Sequence, residues 1–138
     1  MNSRITITFL LLVITQGLHS IEEYIGRLWE VFAPARFLTG LVSKNPEKGF
    51  LVINIGLFIF GLMCWLFIKR NNNTIAKSLI LFWVIIELIN GIGHPSWAIY
   101  DRAYVPGVAT APILLILAIY LAWQLLHFTH DKLKEKNK

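Results

Sequence analysis

In the stretch LLVITQGLHSIEEY, Leu11 to Tyr24, a run of residues suited to lipid meets one imidazole and two adjacent carboxylates. His19, Glu22 and Glu23 are of the types that ligate metals, transfer protons and stabilise cations. At 100° per residue, Gln16, His19 and Glu23 share an arc of about 60° on one helical face, with Glu22 on its flank. A second set, Glu87, Asn90 and His94, falls within a similar arc of another apolar run. Imidazole and carboxylate donors suit zinc, iron or manganese. Two such stripes at matching depth on different helices can face one another across a bundle interior.

The elements that would position them are membrane spans. The chain has 138 residues, 56% of them hydrophobic and only 15% charged, and its mean hydropathy is +0.60, which excludes an ordinary soluble domain. Four segments have spanning length, since roughly 20 apolar residues cross a hydrocarbon core. They cover approximately residues 5–30, 50–69, 74–94 and 107–128. Pro95 is expected to end the third after His94, and Pro112 lies in the first turns of the fourth, where a missing donor costs least. The linker APARFLTGLVSKNPEKG mixes apolar and basic residues with prolines and glycines and is expected to be a loop resting in the membrane interface. No internal repeat or linker splits the chain, so the fold class is all-α, a single integral membrane four-helix bundle.

Lysine and arginine set the orientation. Arg4, Lys69, Arg70, Lys77, Lys132, Lys134, Lys136 and Lys138 share one side, and Arg27, Arg36, Lys44, Lys48 and Arg102 the other. The bias places both termini in the cytoplasm. The first apolar run is expected to stay as a helix rather than to be cleaved as a leader, because Leu18 occupies a position that would need a small side chain. The net charge of +5 comes from residues between apolar runs, not interleaved with exposed aromatics, so nucleic acid is not an expected partner. Membrane lipids are. Cys64 has no second cysteine to pair with, which excludes an intrachain disulfide and a cysteine-rich metal site.

With four crossings, Gln16, His19, Glu22 and Glu23 of the first span, Asn54 of the second, Glu87, Asn90 and His94 of the third and Thr110 of the fourth all lie toward the non-cytoplasmic leaflet. The other halves of these helices are almost purely apolar. An ionisable residue near the bilayer centre costs several kcal/mol unless paired, neutral or buried against protein, and such residues are functional candidates first. Each also has a plainer role. Glu22 and Glu23 can mark the helix leaving the membrane, Asn54 and Asn90 can be interhelical hydrogen-bonding groups, and Thr110 near Gly107 is expected to serve packing. Arg27, one turn from Glu23, competes as its ion-pair partner.

HSIEE, His19 to Glu23, near the end of the first span of a small four-helix chain, resembles the HXXEE family of small integral membrane proteins. The resemblance implies no particular activity, but it implies that His19, Glu22 and Glu23 are the functional residues. Glu87, Asn90 and His94 join them on spacing and leaflet alone.

Three functions are compatible with these residues. The first is a metal-dependent membrane enzyme acting on a lipid-like substrate. Its metal ligands would be drawn from His19, Glu23, Glu87 and His94, its catalytic carboxylates would be Glu22, Glu23 and Glu87, and Gln16, Asn54, Asn90 and Thr110 would support them. The paired Glu-x-x-His motifs of di-iron bundles are absent, so a mononuclear site with an activated water and a spare glutamate as base is the economical version. The second is a metal-free lipid or terpenoid isomerase or cyclase, in which a buried glutamic acid protonates an alkene. A looser likeness to the emopamil-binding sterol isomerases, small bundles with membrane-embedded His and Glu, supports it. The third is a non-enzymatic carrier or assembly subunit, for which a homo-oligomer would supply the helices that one chain lacks.

Overall fold

The computed structural model describes residues 1–136, with side chains through His130. The tail lysines used above for orientation lie outside the described side chains. Six helices form: α1 Ser3–Ile25, α2 Leu28–Val31, α3 Ala33–Val42, α4 Pro46–Arg70, α5 Thr74–Asp101 and α6 Ala111–Lys136. The helices α1, α4, α5 and α6 are long and apolar enough to cross a membrane, and the protein is an all-α, multi-pass membrane bundle.

Local chemistry sets the starts of three spans. Asn2, Asn45 and Asn73 each cap a helix, their side-chain oxygens accepting from the backbone of Arg4, Lys48 and Ala76, which satisfies donors left open in the first turn. Pro46 occupies the first turn of α4, where its fixed φ suits a helix. Arg27 and Arg102, at φ 54 and 51, turn the chain out of α1 and α5.

Around the bundle the order is α1, α4, α5, α6, each packing against the next and α6 closing back on α1. α1 and α5 therefore sit across the diagonal. The half of the bundle nearest the chain ends holds the apolar core, including Phe9, Leu12, Ile68, Ile80, Trp83 and Leu121. Trp83 meets Phe9 edge-on at 6.2 Å. Outward faces are apolar too, with Ile7, Leu18, Ile55, Met63, Ile89 and Ile116 exposed, as lipid requires.

Several elements differ from the sequence expectation. The first span ends at Ile25, not near residue 30, because Gly26 and Arg27 turn the chain into the short α2. The interfacial linker is helical over Ala33–Val42, with Phe37, Leu38, Leu41 and Val42 exposed, the pattern of a helix lying in an interface. α5 does not stop at His94 but runs through Pro95 to Asp101. A membrane helix tolerates the lost donor because neighbouring groups and local adjustments satisfy the freed carbonyl. The fourth span starts at Ala111, since residues 107–110 are turn.

Close packing of α5 on α6 depends on Gly91. A Cβ there would lie 2.6 Å from Leu115 Cβ and 2.9 Å from its Cα. Gly91→Ala is expected to push the two helices apart at a cost of about 1–3 kcal/mol, read as a lowered thermal midpoint in detergent.

Candidate metal centre

The other half of the bundle is polar inside. His19 and Glu87 are fully buried, and Gln16, Glu23 and His94 nearly so. These side chains come from α1 and α5, and their length lets them meet where two diagonal helices cannot touch.

His19 Nε2 lies 3.4 Å from Glu23 Oε1, and His94 Nε2 lies 3.3 Å from the same oxygen. One donor atom from each of the three residues can be chosen so that all lie within 4.8 Å of one another. The imidazoles pack edge to face, centroids 4.8 Å apart at 84°. His19 Nε2 and His94 Nδ1 are buried without a hydrogen-bond partner. Arg27, the competing partner for Glu23, pairs instead with Glu30 at 2.9 Å.

Glu22, one residue from Glu23 and so about 100° around the helix, points to a different partner. Its Oε1 accepts from Ala109 N at 2.9 Å and from the Tyr104 hydroxyl at 2.7 Å. Its Oε2 accepts from Thr110 N at 2.9 Å and from Thr110 Oγ1 at 2.6 Å. The carboxylate thereby caps the start of α6 from another helix, where a negative charge is favoured. The hydrogen bond to Glu22 pushes the Tyr104 phenol up to about 12, so Tyr104 stays a donor across the physiological range. Both oxygens of Glu22 are engaged, and the carboxylate clamps the α5–α6 connection. Thr110 has a polar role beyond packing: besides Glu22, its Oγ1 lies 2.8 Å from His19 Nδ1.

The clamped connection covers the imidazoles. At Gly107, φ is +93, and a Cβ there would lie 2.7 Å from His19 Cε1 and 2.8 Å from His94 Cε1. Only glycine provides both the backbone conformation and the clearance.

Glu87 lies outside the His19, Glu23 and His94 group. Asn90 Nδ2 donates to its Oε2 at 3.2 Å. Gln16 is assigned with its amide nitrogen toward Glu87, because the reverse sets oxygen against oxygen; that nitrogen is 3.2 and 2.9 Å from the two carboxylate oxygens. Asn54 sits on the far side of α1, where it accepts from Ser20 Oγ at 2.8 Å and donates to Phe50 O at 3.0 Å. It joins two helices rather than reaching the centre. Gly107, Tyr104 and Ser20 are the participants the sequence did not single out. The first two belong to a connection whose path is set by tertiary contacts, and Ser20 is one small hydroxyl in a helix.

Fold and site define a class: an all-α membrane protein that closes a histidine–glutamate cluster into one end of a four-helix bundle. Within that class, the chain belongs to the family described as "Protein of unknown function with HXXEE motif", which matches residues 10–121. No curated protein and no solved structure matches it. The motif residues divide by geometry: His19 and the second glutamate, one turn apart, face the interior, while the first glutamate faces the connection that covers them.

Proposed function

We propose that His19, Glu23 and His94 hold one divalent metal ion, and that the protein is a membrane enzyme acting on a lipid-like substrate at that centre. The observation that supports this most is the pair of distances from Glu23 Oε1 to the two Nε2 atoms. Ligands at 2.0–2.2 Å around a tetrahedral ion are separated by about 3.4 Å. Hydrogen bonds between an imidazole and a carboxylate are commonly shorter, about 2.7–2.9 Å when charge-assisted. Two histidines and one carboxylate also match the donor set of catalytic zinc sites and of mononuclear iron sites, which keep a position open.

A metal in such a site would polarise a substrate oxygen or activate a bound water. The chain's own residues orient and shield. Glu23 presents one oxygen to both imidazoles, and Gly107 and its neighbours cover the rings. A cavity of about 300 Å³ lined by Gly26, Val31, Trp97 and Pro106, with Asp101 and Tyr104 as polar groups in its wall, lies about one turn beyond Glu23 and His94 in the chain, and its mostly apolar walls suit an amphiphile approaching from the interface.

A second reading has its own observation. Glu87 is fully buried and met by the amides of Gln16 and Asn90, with no basic partner among the described residues. Such a carboxyl could serve a metal-free isomerase as its proton donor.

Metal analysis of protein purified in detergent without chelator separates the two. The expected result is about one zinc, iron or manganese per chain, reduced to background in His19→Ala and His94→Ala with helicity retained. Background metal in the wild type, together with a changed lipid or terpenoid pool in cells making the protein, would replace the first reading by the second.

A further inference from the structure

We infer that Thr110, held by Glu22, is a positioning residue that fixes His19 as the tautomer protonated on Nδ1, leaving the Nε2 lone pair aimed at Glu23 and His94. Thr110 has one hydroxyl proton and three oxygen or nitrogen neighbours. Glu22 Oε2 is at 2.6 Å, His19 Nδ1 at 2.8 Å and Gly107 O at 3.4 Å. The carboxylate oxygen is the nearest and strongest acceptor, and the same oxygen already accepts from Thr110 N. The hydroxyl proton goes to Glu22.

Thr110 Oγ1 is then an acceptor toward His19, and a close contact at 2.8 Å needs a proton on Nδ1. In the neutral ring the other nitrogen is bare. That nitrogen is His19 Nε2, fully buried, unpartnered in hydrogen bonding and facing the Glu23 oxygen. A bare nitrogen facing a carboxylate oxygen is unfavourable unless a cation lies between them. The hydroxyl thus turns His19 from a hydrogen-bond donor toward Glu23 into a ligand beside it. Outer partners of metal-bound histidines act in this way, setting tautomer and ring orientation. Here the partner is a threonine whose own direction is imposed by a carboxylate, and the motif's first glutamate acts on its histidine through a residue of the α6 start. The part of the inference that concerns metal rests on the proposed centre; the tautomer does not.

The test is ¹⁵N NMR of histidine-labelled full-length protein in detergent, with His19 identified by loss of its signal in His19→Gln, combined with zinc titration. In the wild type, Nδ1 is expected to be protonated with or without zinc, and Nε2 to be bare in the zinc-loaded protein. Thr110→Val, which keeps shape and removes the hydroxyl, is expected to give a mixture of tautomers and zinc binding weakened about 10–100-fold. Thr110→Ser is expected to restore both. A wild-type His19 without a proton on Nδ1 overturns the inference, as does a Thr110→Val protein with tautomer and affinity unchanged. If Thr110→Val does not fold, the wild-type and Thr110→Ser spectra still decide. Absence of zinc binding in the wild type would remove the metal centre while leaving the tautomer to be judged by the same spectra.

Discussion

Glu23→Gln is expected to weaken metal binding by more than about 100-fold, beyond the range that loss of an outer partner causes, with insertion and helicity unchanged. The amide has the shape of the carboxylate but neither its charge nor its strength as a ligand. Both imidazoles face the one oxygen Oε1, so the substitution removes the point at which α1 and α5 share a ligand. Competition against a chelator of known affinity measures the effect, with circular dichroism as the control. Glu22→Gln provides the contrast. It alters the clamp on Ala109, Thr110 and Tyr104 without touching the cluster, and a smaller loss is expected, within about 10–100-fold. Tight binding retained in Glu23→Gln would take Glu23 out of the centre.

The second large effect is expected at a residue with no side chain. Gly107→Ala places a methyl group 2.7 Å from His19 and 2.8 Å from His94 at a φ of +93. The left-handed conformation costs an alanine roughly 1–2 kcal/mol and overpacking typically about 1–3 kcal/mol more. A destabilisation of about 2–5 kcal/mol is therefore expected, with the cover lifted from the imidazoles and metal occupancy lowered. Gly93→Ala is the matched control. It is one residue from His94 in α5, and its Cβ would meet nothing within 4 Å, so exchanging glycine for a better helix former is expected to leave stability unchanged or raise it by up to about 1 kcal/mol. Denaturant unfolding in detergent distinguishes opposite signs. Equal effects of the two substitutions would mean that Gly107 does not pack against the rings.

Much of this was legible in the chain itself. Spans can be read because lipid demands about 20 apolar residues in a row, and polar stripes because a helix repeats every 3.6 residues. Gln16, His19 and Glu23 share a face in the sequence and share the interior in the structure. The same holds for Glu87 and His94. Boundaries were less legible. Pro95 is a strong stop in water but lies inside α5, because the energetic weight of a lost hydrogen bond depends on what neighbouring segments return.

The sequence by itself determined that the protein is a four-span helical bundle with the ionisable residues inside its spans gathered toward one end, since both follow from local composition and period. Only the tertiary structure decided which of those residues meet. It set α1 and α5 on a diagonal, so that two histidines converge on one glutamate. It also turned the adjacent glutamate to a connection 88 positions away at Thr110 and laid Gly107 over the rings. Contacts between residues so distant are fixed by how four helices close around a shared interior, and no local pattern encodes that closure.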